Sequence, residues 1–120
     1  MSKMLNETIG TVEYDGLIVD NIPVADVVLV KLAAGSGVVK RGTIVNGTAG
    51  GDMAPVAAAL VSTKATYIVA DEIDATEAAI VAAYRTGHFA RNKIVTNGYT
   101  LTKADEEILR NAGILLADAL

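Results

Sequence analysis

The segment "DVVLVKLAAGSGVVKRGTIVNG", Asp26 to Gly47, limits most narrowly what this chain can fold into. Two valine-rich runs, Asp26 to Leu32 and Val38 to Val45, are separated by Ala-Ala-Gly-Ser-Gly and closed by Asn46-Gly47. β-Branched side chains fit a pleated sheet better than a helix, and Gly and Asn supply the backbone angles of turns. Lys31, Lys40 and Thr43 interrupt the apolar runs as the outward positions of half-buried strands do. Two strands are predicted here.

Similar punctuation runs through much of the chain. "TIGTVEYDGLIVD", Thr8 to Asp20, predicts strand, turn and strand about Asp15-Gly16, and "ATYIVADEI" predicts another strand. "NGTAGGDMAP" predicts a loop, and the Ala-rich "VAAALVS" after it has the composition of a helix start. "DATEAAIVAAYRTG" is in conflict: Asp74 followed by Glu77 resembles a capping box, and the alanines favour helix. Judged locally, helix wins. "NKIVTNGYTLT" returns to extended character around Ile94 and Val95, with a turn at Asn97-Gly98. The clearest helix is Ala104 to Asn111, capped by Thr102, with Asp105, Glu106 and Glu107 at the positive end of its dipole and Gly113 as its stop. One short helix among many strands predicts a mainly β domain.

With 120 residues and no strong internal linker, the chain is read as an N-terminal arm, 1–14, and one β domain, 15–120. Its residues are 52% apolar but only 4% aromatic, so the core is built from small aliphatic side chains that each bury little area. Such a core gains from self-association. Cysteine is absent, which removes disulfides and thiolate metal sites and suits a cytosolic origin. No apolar run approaches the roughly 20 residues that span a bilayer, and no signal-like apolar core follows the start. A net charge of −4 and a pI near 4.8 argue against nucleic acid as a partner.

Most of the candidate chemistry lies in "YRTGHFARNKIV", Tyr84 to Val95, which holds the only histidine. One His cannot build a multi-histidine metal site, and His88 between Gly87 and Phe89 fits a turn or surface residue better than a general base. Asp71, Glu72, Asp74 and Glu77 gather four carboxylates, but Ile73 and Ala75 occupy ligand places of the EF-hand order, so a solvated loop is expected rather than calcium. The glycines of "NGTAGGD" and "AAGSG" match no phosphate-binding pattern. No catalytic residue, cofactor or metal is predicted, and the chain is expected not to be an enzyme. The β-branched start could add a strand to a partner's open sheet edge.

Three stretches, "AAGSGVVKRGTIV", "ATYIVADEIDATEAAIVAAYRTGHFARNKI" and "GYTLTKADEEILRNAGILL", together resemble the lambda-type bacteriophage head decoration proteins. The likeness runs from about Thr11 to the C-terminus. It is carried most specifically by Ala70-Asp71 with Asp74, by Tyr84, Gly87 and Phe89, and by "GYTLTKADEE". The resemblance implies a small β-clip-like or β-barrel-like domain with one short C-terminal helix, and a homotrimer on the outer surface of the virion's capsid, made in the bacterial host cytoplasm. It also implies that "EAAIVAAY" is a buried strand, against its local helix signal. The expected partners are two further copies of the chain and the major capsid protein, with neither nucleic acid nor membrane. Thr8, Ile9, Gly10, Thr11 and Val12 are the expected capsid contacts, because relatives order this segment on the shell. Tyr84, Arg85, His88, Phe89 and Arg91 are the expected trimer contacts, with Gly87 permitting a turn. The alternatives are another virion or tail structural protein, and a small-ligand-binding β domain, for which the absence of tryptophan gives little stacking surface.

Overall fold

The computed structural model describes residues 16–20 and 24–118. It is mainly β, with one short helix near the C-terminus. The strands are β1 (Ile18–Asp20), β2 (Asp26–Leu32), β3 (Gly37–Val39), β4 (Ile44–Gly47), β5 (Ala54–Pro55), β6 (Ala65–Val69), β7 (Ile73–Ala75), β8 (Ala79–Ala90) and β9 (Ile114–Ala117), and the helix is α1 (Lys103–Asn111).

Strand β8 organises the molecule. One side of it carries β6, followed by β4 and β5, and β9 lies beside its C-terminal half in parallel. β1 and β2 pair antiparallel with β8 as well, and β3 with β7 makes a separate two-stranded ribbon. The central position explains the composition of β8, which is apolar toward both faces. Ala82 and Tyr84 join a core with Leu17, Ile44, Ile68, Leu109 and Ile114. Val81 and Ala83 join a second core with Val30, Leu32, Val45, Met53 and Val69.

The structure makes several corrections to the expectations. From Ala79 on, "EAAIVAAY" is strand, as the resemblance implied, but Glu77 and Ala78 precede it and Ile80 is exposed rather than buried; the local helix signal fails because Asp74 Oδ1 accepts from the Thr76 amide (3.0 Å) and hydroxyl (2.7 Å) in a tight turn instead of capping a helix. "VAAALVS" is irregular: the Val56 amide donates to the Ile44 carbonyl and the Leu60 amide to Asp105, so these donors are engaged in tertiary bonds rather than helical ones. The Val38 to Val45 run is two strands, broken at Lys40–Thr43, where Gly42 has φ +95° and a Cβ would lie 2.6 Å from the Lys93 carbonyl. The partner expected across the Asp15-Gly16 turn lies outside the described residues. The helix has its capping box, Thr102 accepting from the Asp105 amide and Asp105 from the Thr102 amide. Among the described residues no helix is long and apolar enough to cross a membrane.

Candidate functional site

The segment that gathered the candidate chemistry proves to be mostly the far half of β8. Tyr84 and Phe89 are 7% and 0% exposed, with ring centroids 5.4 Å apart. Arg41 Nη1 donates to the Tyr84 hydroxyl (2.8 Å) and to the Ala70 carbonyl (2.9 Å), and its guanidinium lies 5.6 Å from the Tyr84 ring centre. Both rings therefore serve the interior of one chain, which corrects their expected place at a trimer contact: a side chain already removed from water has little further area to bury. Gly87 does not make a turn. It lies within β8 at φ +153°, and the Phe89 ring covers it so closely that a Cβ would be 2.5 Å from Phe89 Cζ.

The two arginines of the segment have partners within the chain. Arg85 pairs with Asp26 at the surface. Arg91 donates to Glu106 through Nε (2.9 Å) and Nη2 (2.8 Å), pairs with Asp118, and reaches the Leu116 carbonyl, so it ties the end of β8 to α1 and to the chain beyond β9. The hydrogen bonds it donates to Glu106 and then to Asp118 push its pKa further above the ordinary guanidinium value. His88 is half-buried, between Leu115 of β9 and Asp20 of β1 in strand register. The carboxylates at 71, 72, 74 and 77 are exposed, and among the described residues no three His, Asp or Glu side chains converge to hold a metal ion. Thr8 to Val12 lie outside the described residues.

A buried carboxylate escaped the sequence reading as anything beyond a helix-cap residue. Asp105 is 2% exposed and accepts from the Tyr99 hydroxyl (2.5 Å) and the amides of Thr102 (2.8 Å) and Leu60 (3.0 Å). Burial pushes its pKa up, but these donors, led by Tyr99, outweigh it and hold the carboxyl below its ordinary range. Every contact joins one part of the chain to another, so its role is architectural.

One patch left open to a partner is apolar. Val27 and Leu29, on the outward face of β2, are 51% and 74% exposed, and Ile80 beside them on β8 is 65% exposed. The β2 edge also forms the floor of a groove of about 310 Å³ lined by Leu29, Lys31, Gly50, Met53, Tyr67 and Ile80. A contiguous row of large exposed aliphatic side chains on a sheet edge is a docking feature rather than a chemical one. Sequence reasoning located β2 but missed this, because alternation shows which face points away from the core and not whether another element covers it. No family model matches the chain, and no curated protein matches it at a significant level.

Proposed function

We propose that the protein is a bacteriophage capsid decoration protein, which binds as a homotrimer to the outer surface of the expanded head at its three-fold and quasi-three-fold sites. The carrying observation is that the stretch giving the densest resemblance folds against its own propensity: from Ala79 on, "EAAIVAAY" is part of the central strand, with Val81 and Ala83 in one core and Ala82 and Tyr84 in the other. The exposed row of Val27, Leu29 and Ile80 supports association as the mode of action. A ligand that binds only the expanded lattice stabilises that lattice by mass action, and three linked copies multiply weak contacts through effective concentration. A clamp of this kind opposes the outward push of packaged DNA without chemistry.

Light scattering of the full chain, followed by sedimentation with expanded and unexpanded phage shells, tests the proposal. A trimer that pellets with expanded shells and protects them from heat or chelation supports it. A species that stays single, or a trimer that leaves shells unbound and as fragile as bare ones, overturns it.

A further inference from the structure

The outer edge of β2 from Val27 to Leu29 is an unfilled strand site. Leu29 stands opposite Ala82, whose carbonyl accepts from Ala70 on the other side of β8, so Leu29 and Ala82 do not bond to each other and the amide and carbonyl of Leu29 point outward. Two residues along, the Lys31 carbonyl and the Ala33 amide point the same way and are paired with Met53. That bridge covers the end of the edge and stops there. Among the described residues no main-chain group continues it alongside Leu29 or Val27. Open polar backbone beside exposed aliphatic side chains is the arrangement into which an extended segment adds as a further strand.

We propose that the occupant is the N-terminal segment Thr8–Tyr14 of a neighbouring copy, laid along β2 with Val12 beside Leu29. The inference rests on the self-association in the proposed function, and gives this segment to a sister copy rather than to the shell. Its sequence, Thr-Ile-Gly-Thr-Val-Glu-Tyr, is β-prone, and one of its two faces, Thr8, Gly10, Val12 and Tyr14, carries no charge and matches the apolar row. Between residues 7 and 15 the ionisable groups other than Tyr14 are acidic: Glu7, Glu13 and Asp15. The exposed bases bordering the row are Lys31 and Arg85, each also beside one acid of its own chain, Asp52 and Asp26.

Geometry favours a neighbour's segment over the chain's own. The described chain begins at Gly16, near the pairing of Ile18 with Phe89, while Leu29 is opposite Ala82, about 23 Å away along β8. A two-residue turn at Asp15-Gly16 would set Tyr14 against Leu17 and Val12 against Val19, and the β-prone stretch would run out at Thr8 opposite Pro23, short of β2. Val12 is four residues from Gly16, a reach of at most about 14 Å and short of the chain's own Leu29, so Val12 can lie beside Leu29 only on a copy packed against this one.

Because the chain has no cysteine, engineered thiols report this contact alone. Two full-length variants, Val12→Cys and Leu29→Cys, are mixed, allowed to exchange and oxidised mildly; directly opposed strand residues lie at disulfide distance. The expected result is a new covalent species of twice the chain mass that contains one of each variant and vanishes on reduction. Size measurement of the mixture before oxidation separates two failures. A trimer that yields no mixed product overturns the strand exchange and leaves the trimer standing, whereas a single-chain species without the product overturns both. In the double variant Val12→Cys/Leu29→Cys, a link formed only within one chain also overturns the exchange, as does a link formed only to the shell protein.

Discussion

Asp105 shows how one side chain ties down what propensity alone leaves loose. Its carboxylate gathers the start of α1, the Tyr99 ring and the irregular stretch before β6. The folded carboxyl holds its proton less tightly than an unfolded Asp, so its contribution is in full above about pH 4 and is lost as pH falls through the folded-state value. Tyr99 is shifted the other way: its hydrogen bond to Asp105, with burial, raises its pKa, so its contribution is complete below about pH 10 and declines above. Asp105→Asn keeps the shape and removes the charge. It should lower stability at pH 7 by about 1–3 kcal/mol, and the gap to wild type should narrow as pH drops below about 4. Urea midpoints at pH 7, 5 and 3 measure both. A gap that stays constant across that range would assign the network to packing rather than to charge.

At the level of elements, legibility divided along the line between local and distant causes. β2 and the helix were readable because their signals lie within them: 26–32 is rich in valine between turn residues, and Thr102, Asp105 and Gly113 mark the two ends of α1. β8 was not readable from its own residues, since alanine suits a helix in isolation and fits here because cores on both faces leave room for small side chains. β9 was missed for the opposite reason. "ILLA" is short and has no alternation, and its pairing with β8 is parallel, the kind of contact that no hairpin signal announces. The candidate site followed the same rule: the aromatic pair was visible, but its burial beneath Arg41 depends on a contact 43 positions distant. β9 matters to the fold through Ile114, which is fully buried next to Leu109 in the core above β8. Ile114→Ala should therefore cost about 3 kcal/mol, near the middle of the range for emptying such a site. Denaturant unfolding with an unchanged m-value checks it, and a loss under about 1 kcal/mol would mean that β9 is only loosely attached.

For the whole molecule, the question is whether a small-aliphatic core of this size is complete in one copy. The aromatic content is low, and Val27, Leu29 and Ile80 leave aliphatic area in water next to an open strand edge. If copies associate through that row, folded chains gain stability from one another and the unfolding temperature rises with protein concentration. Leu29→Asp with Ile80→Asp tests the link directly. Both side chains are mostly exposed in the single chain, so their exchange should change the stability of an isolated copy by no more than about 0.5 kcal/mol each. In an assembly the same charges would be removed from water without partners, which disfavours association by several kcal/mol. The expected variant is thus a folded species of single-chain mass whose unfolding temperature no longer depends on concentration, and whose binding to expanded shells falls by about a hundredfold or more as the three contacts become independent. Thermal scans over a hundredfold range of concentration, with light scattering and shell sedimentation, supply the readout. A variant that still assembles and still shows the concentration dependence would place the contact between copies on another face and leave the apolar row to a different partner.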